Sequence, residues 1–147
     1  MRVSTKFRYG LRAILDIAMS SGEAPVLVKD IAHRQAISQK YLENLLVSLK
    51  NAGLLRSIRG AKGGYILAKP PDKITIEEVA VALEGPPDLI DCVSDPGVCP
   101  MTKNCPTNEF WRDMAEVLRN FMRKRSLLDL IEDYKHKQNQ ESLMYYL

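Results

Sequence analysis

Three cysteines, Cys92, Cys99 and Cys105, lie within one stretch of 14 residues and occur nowhere else in the chain. An odd number excludes a complete set of internal disulfides. Clustered thiols favour soft-metal or redox chemistry over structural bridges. Zinc takes four ligands, often in pairs two residues apart. Here the spacing is Cys-x6-Cys-x5-Cys, with no Cys-x-x-Cys pair. Such wide arcs suit the bulk of an iron–sulfur cluster. Three thiolates leave one ligand to find. His33 and His136 are distant in sequence, whereas Asp91, Asp95, Asn108 and Glu109 are local oxygen or amide candidates. A partner subunit or solvent is a further source. A thiol redox enzyme is the weaker alternative, because no catalytic base lies near the cysteines and no glycine-rich nucleotide motif is present.

A second group of residues is suited to a polyanion. Arg59-Gly60-Ala61-Lys62-Gly63-Gly64 is a basic turn whose glycines let backbone approach a sugar-phosphate wall. Arginine suits the concentrated negative potential of a narrow minor groove. Upstream, Ser38, Gln39, Lys40 and Tyr41 open an amphipathic segment, with Glu43 and Asn44 one turn on. Gln can pair with adenine, Glu can accept from cytosine, and Lys can bond guanine or phosphate. Lys6, Arg8, Lys50 and Arg56 are candidates for phosphate contacts, which position without specifying.

These side chains need elements to carry them. Ser4 to Ser20 has apolar residues at helical spacing (Phe7, Leu11, Ile14, Leu15, Ala18, Met19), with Ser4 as cap and Gly22 as stop. Val28 to Arg34 is a short second helix, followed by the turn Gln35-Ala36-Ile37. Ser38 caps a third, Gln39 to Ala52, striped by Tyr41, Leu42, Leu45, Leu46, Leu49 and Ala52 and stopped by Gly53. Two short-linked helices of this kind form a helix-turn-helix. The strands Leu54 to Arg59 and Tyr65 to Leu67 then make a wing. Thr75-Ile76-Glu77-Glu78 is a capping box that opens a helix to Leu83. Residues 88–106 read as a loop. From Thr107 a broad apolar stripe returns, carrying Phe110, Trp111, Met114, Val117, Leu118, Phe121 and Met122. It is too broad for one small neighbour, so a dimer interface at Trp111, Met114, Leu118, Phe121 and Met122 is expected. Ser126 to Asp129 restarts a helix with its own cap.

Composition agrees with this layout. The 147 residues are 46% hydrophobic and 27% charged, ordinary for a folded chain and unlike a disordered one. No apolar run approaches the ~20 residues that cross a bilayer. The N-terminal segment reads as neither signal nor transit peptide, and a cytoplasmic protein is expected. Net charge is +3, unevenly spread: residues 1–73 hold 13 Lys+Arg against 5 Asp+Glu, and the remainder is net acidic. A basic front half suits a polyanion partner. The expected fold class is mainly α with a small β-hairpin wing, a winged helix-turn-helix plus a long dimerisation helix. Its parts are a DNA-binding domain over 1–73, a short helix and three-cysteine loop over 74–106, a dimerisation helix and following helix over 107–134, and a flexible tail over 135–147.

The chain resembles the IscR-type family of winged-helix iron–sulfur transcription regulators, which includes NsrR, RirA and CymR. The resemblance covers about residues 1–134. It rests on Phe7-Arg8-Tyr9-Gly10, Ile37 to Glu43, Arg59 to Tyr65, the three-cysteine loop, and Phe110-Trp111-Arg112-Asp113. It implies a sequence-specific regulator of double-stranded DNA, reading an imperfect palindrome as a homodimer whose long helix, Asn108 to Arg125, crosses its partner's. It implies an iron–sulfur cluster on Cys92, Cys99 and Cys105 whose state adjusts DNA binding, in response to cluster supply, redox state or nitric oxide. It also implies base and groove contacts from the recognition helix and Arg59.

Two departures bear on the cluster. IscR has five residues between its first two cysteines and a histidine ligand three residues after its last. This chain has six, and Asn108 in the histidine's place. In NsrR the added ligand is an aspartate of the partner's first helix, where this chain has Lys6-Phe7-Arg8. The IscR-like flanks favour a 2Fe–2S over a 4Fe–4S cluster. CymR-like members answer to a partner protein, which makes a partner-controlled regulator or interaction module the alternative.

Overall fold

The apolar residues spaced along the first segment form one side of α1 (Thr5–Ser20), with Ile14 and Ile17 fully buried. We describe residues 2–20 and 24–146 of a computed structural model. Ser4 caps α1 as expected, accepting from the Phe7 N–H at 3.0 Å. Gly22, the expected stop, lies outside the described residues.

α2 (Val28–Gln35) and α3 (Gln39–Asn51) follow, joined through Ala36 in the left-handed region (φ 53°). Gly53, at φ 76°, ends α3 where its sequence predicted a stop. β1 (Leu55–Ile58) and β2 (Gly64–Leu67) pair antiparallel, Leu55 opposite Leu67 and Ile58 opposite Gly64. A 3₁₀ turn, Pro71–Lys73, leads to α4 (Ile76–Glu84), which opens on the predicted Thr75–Glu78 capping box.

The core gathers Ile14 and Ile17 of α1, Ile31 of α2, Leu42, Leu45, Leu46 and Leu49 of α3, Leu55 of β1, and Val79 and Leu83 of α4. Each such side chain contributes about 1.5–3 kcal/mol on burial. α1 and α4 meet at Gly10. A Cβ there would stand 2.3 Å from Leu83 Cδ1, so only hydrogen lets the helices approach this closely.

The loop over 88–106 holds more structure than its composition suggests: a helical turn, α5 (Asp91–Ser94), and a 3₁₀ turn, Thr102–Asn104. α6 (Asn108–Arg123) is the long amphipathic helix, ending two residues earlier than expected. Its only buried residues are Asn108 and Ala115. α7 (Leu127–Tyr145) starts on a Ser126–Asp129 capping box. Its first turns return to the winged-helix core through Leu127 and Ile131. Backbone bonds from Leu127 N–H to the Ile74 carbonyl and from Ile76 N–H to the Arg125 carbonyl, both 2.9 Å, tie the starts of α4 and α7 together. The chain beyond residue 134, expected as a frayed tail, instead continues α7 as helix to Tyr145. Ser142 Oγ donates to the Gln138 carbonyl and Gln138 Nε2 to the Tyr134 hydroxyl along it. A polar segment with intact i,i+4 bonds can stay helical without a buried face.

Candidate nucleic-acid interface and cysteine loop

Ser38 has the extended backbone of an N-cap, and its Oγ accepts from the Tyr41 N–H at 3.3 Å. This starts α3 so that Gln39, Lys40, Glu43 and Asn44 stand exposed on its outer side. Gln39 Nε2 donates to Glu43 Oε1 at 3.1 Å, so the two residues expected to read bases are already held together. Tyr41 is placed differently from its neighbours. It is half-buried against the core, with its ring edge-on to Tyr9 at 6.2 Å.

The wing folds back over the same surface. Gly63 N–H donates to the Gly60 carbonyl at 2.9 Å and closes the tip, leaving Arg59 and Lys62 exposed. Gly60 sits at φ 114°, a backbone a side chain rarely adopts. Gly64 is needed for a different reason: a Cβ would lie 2.2 Å from the Val26 carbonyl oxygen. Val26 and Tyr65 exchange two backbone hydrogen bonds of 2.9 Å, which tether the wing to the entry of α2. The result is one groove lined by Lys29, Gln39, Glu43, Ile58, Gly60 and Gly64. Burial, reinforced by the Glu43 carboxylate, pushes the Tyr65 phenol above its usual range. Sequence reasoning missed Lys29. Its signal was a basic residue in the first turn of the first helix of the helix-turn-helix. Lys6, Arg8, Lys50 and Arg56 are all exposed.

The three cysteines are free and half-buried. The loop is pinned to α6 at both ends. Near its start, Asp88 pairs with Arg119. At its close, the thiols meet the beginning of α6. Asn108, itself buried, directs Nδ2 toward Cys92 Sγ at 3.9 Å. Cys105 Sγ lies 3.3 Å from Thr107 Oγ1. That hydroxyl, with the backbone N–H groups of Thr107 and Asn108, draws the Cys105 thiol below its usual range. Cys99 holds its own turn, its carbonyl accepting from Thr102 Oγ1 at 2.8 Å. Among the described residues no three His, Cys, Asp or Glu side chains converge on a single metal position. The donor set nevertheless suits a thiolate-bound cluster: three free, half-buried sulfurs on one segment, one of which, Cys105, has its thiolate favoured by its neighbours.

On α6 the expected interface residues divide. Trp111, Met114 and Met122 are half-buried, while Leu118 and Phe121 are 37% and 67% exposed. Phe110 and Val117, at 59% and 68%, share that outward face.

Comparison with known proteins decides the family. The signature of the Rrf2 family, described as an iron-dependent transcriptional regulator, matches residues 3–133. The chain belongs to the Rrf2 family. It is 41% identical to protein rrf2 of Nitratidesulfovibrio vulgaris over 133 residues, covering 90% of this chain and 89% of that one. It is 38% identical to the HTH-type transcriptional regulator IscR of Erwinia tasmaniensis, covering 90% and 80%. Among solved structures, IscR of T. potens superposes with a TM-score of 0.77 at 35% identity, covering 94% of this chain and 91% of that one. CymR, the global cysteine regulator of B. subtilis, superposes at 0.72 with 37% identity, covering 88% and 95%. This Rrf2-family chain is thus an IscR-like, winged-helix transcription regulator and not an enzyme. The family match stops within α7, so the helical arm after residue 133 lies beyond it.

Proposed function

We propose that the chain is a homodimeric regulator that reads an imperfect DNA palindrome and answers to an iron–sulfur cluster on Cys92, Cys99 and Cys105. The observation that carries the DNA reading is the single groove shared by Gln39 and Glu43 of α3 and the glycines of the wing. α3 enters the major groove with Ser38, Gln39, Lys40, Glu43 and Asn44 toward the bases, and Arg59 and Lys62, with Gly60, reach the adjacent minor groove. Tyr41 supports α3 from behind, and Lys29 joins the phosphate contacts.

The cluster supplies a redox-active and nitric-oxide-reactive centre when bound. The residues that hold it are the three cysteines, with 2Fe–2S preferred to 4Fe–4S. Asn108 stands beside Cys92 as an amide donor. Its place at the first residue of α6 lets order in the loop bear on the helix that separates the two wings. Such a cluster biases DNA binding only if the two arrangements of the loop hold it unequally.

Absorbance and Mössbauer spectra of protein purified without air test the cluster, and a salt-dependent mobility shift on DNA tests the reading. Cys92→Ala, Cys99→Ala and Cys105→Ala should each lose visible absorbance and alter DNA affinity or preference, with the fold intact. Control by a partner protein, the CymR-like alternative, predicts DNA binding indifferent to all three substitutions.

A further inference from the structure

α2 ends against α1 on a side-chain arrangement that neither the core nor the groove requires. Its last residue, Gln35, inserts a carboxamide between two side chains of α1. Gln35 Nε2 donates to Asp16 Oδ2 at 2.7 Å, and Gln35 Oε1 accepts from Arg12 Nε at 3.1 Å. The Gln35 carbonyl accepts from Arg12 Nη2 at 2.6 Å. Arg12 and Asp16 are four residues apart on one helix, a spacing at which opposite charges usually pair directly. Here a neutral amide separates them and satisfies both.

The arrangement extends in two directions. Asp16 is 3% exposed and also holds Arg34, with Nη2 to Oδ1 at 2.6 Å and Nε to Oδ2 at 3.0 Å. The Arg12 guanidinium lies 5.4 Å from the centroid of Tyr9, whose ring meets Tyr41 on the first turn of α3. Immediately after Gln35 comes Ala36. Among the described residues it alone, glycines aside, has positive φ. That conformation is unfavourable for a residue with a Cβ and persists only where neighbours impose it.

We propose that Gln35 is a positioning residue for DNA reading: it clamps the end of α2 to Arg12 and Asp16, holds Ala36 in its turn, and so sets the pose of the first turn of α3. The proposal rests on the assignment of α3 as the reading helix. Gln35 need not touch DNA for this.

Gln35→Ala separates positioning from stability. The buried Asp16 keeps Arg34, and Arg12 is free to pair with it directly, so no charge is left uncompensated. The chain should therefore fold. Hydrogen exchange at the Ala36 and Ile37 amides, which donate to His33 and Ala32, should speed up while the central amides of α3 stay protected. Affinity for a duplex enriched by the wild-type protein from a randomised library should fall roughly tenfold, toward the lower end of the cost of one lost base contact. Affinity for random-sequence duplex and the salt slope should not change, because no phosphate contact is removed. Gln35→Met, which keeps the length of the side chain but can neither donate to Asp16 nor accept from Arg12, should show the same pattern and serves if the alanine variant is unstable.

Unchanged exchange at Ala36 and Ile37 would overturn the clamp. Faster exchange with selected-duplex affinity within about twofold of wild type would overturn its role in reading. Equal losses on selected and random duplex would mean that the residue does not act through reading, and exchange that rises throughout α1–α3 would make it merely structural. If the wild-type protein enriches no duplex, the DNA reading itself fails and the proposal with it. The exchange data then still report whether Gln35 holds the turn.

Discussion

At the scale of single residues, exposure sorts the side chains proposed to read DNA from those proposed to support them. Arg59 is exposed at the wing tip beside a glycine at φ 114°, free to enter a groove. Arg59→Ala should weaken binding to a selected duplex by about 1–3 kcal/mol, the scale of a base-reading contact. Lys50, exposed on the last turn of α3, should act on phosphate instead. Lys50→Ala should weaken all sequences alike and lower the salt slope by about one. Titrations of selected and random duplex at several salt concentrations distinguish the two, and equal losses in the Arg59 variant would remove its reading role. Asn108 invites the opposite kind of change. It directs an amide toward Cys92, where an imidazole would offer a nitrogen ligand. Asn108→His should lengthen the life of the visible absorbance in air, and a faster decay would argue against ligation from this position.

At the scale of elements, two junctions hold α1, α4 and α6 in place. The first is steric. Gly10→Ala would drive a methyl into Leu83, itself 2% exposed, and overpacking of this kind costs about 1–3 kcal/mol. Denaturant unfolding measures it, and a variant as stable as wild type would show that Leu83 can yield. The second is electrostatic. Arg123 forks onto Glu77, Nε to Oε2 at 2.8 Å and Nη2 to Oε1 at 3.0 Å, joining the end of α6 to the start of α4. Hydrogen bonding to Arg123 holds the Glu77 carboxyl below its ordinary range. A carboxyl depressed in the folded state stabilises above its unfolded pKa and loses that contribution as pH falls through the folded one. The melting temperature of Glu77→Gln should therefore lie below that of wild type near neutrality. The gap should close as pH falls through the carboxylate range. A gap that is constant with pH would show that the loss is one of packing.

At the scale of the whole molecule, α6 presents Phe110, Val117 and Phe121 to solvent while Ala115 and Met122 face the rest of the chain. An apolar face of this kind on a single helix suits a second copy. The variant Val117→Glu with Phe121→Glu places charge on that face without entering the core, and should yield folded monomers by sedimentation. Monomers should bind a half-site but lose the preference for two half-sites about 34 Å apart. A dimer that survives both charges would place the interface elsewhere.

Much of this architecture was legible because its instructions are local. A cap at Ser4, Ser38, Thr75 or Ser126 bonds an amide three residues away. The tip of the wing is likewise closed within itself, Gly63 N–H donating to the Gly60 carbonyl. Periodicity revealed the stripes of α1, α3 and α6. Contacts between distant segments were not legible. No pattern in α3 told that Tyr41 turns inward to Tyr9, or that Gln35 lies between Arg12 and Asp16. The stripe of α6 showed that a face exists, but not that Phe110 and Val117 share it with Phe121 while Met122 is drawn back toward the core. Nor did the chain announce that Leu127 and Ile131 of α7 join the core built by α1 to α4. Caps and turns are satisfied within a few residues of themselves, so composition decides them. Which of several apolar or polar partners a side chain meets depends on how whole helices pack, and that is settled only when the chain is folded.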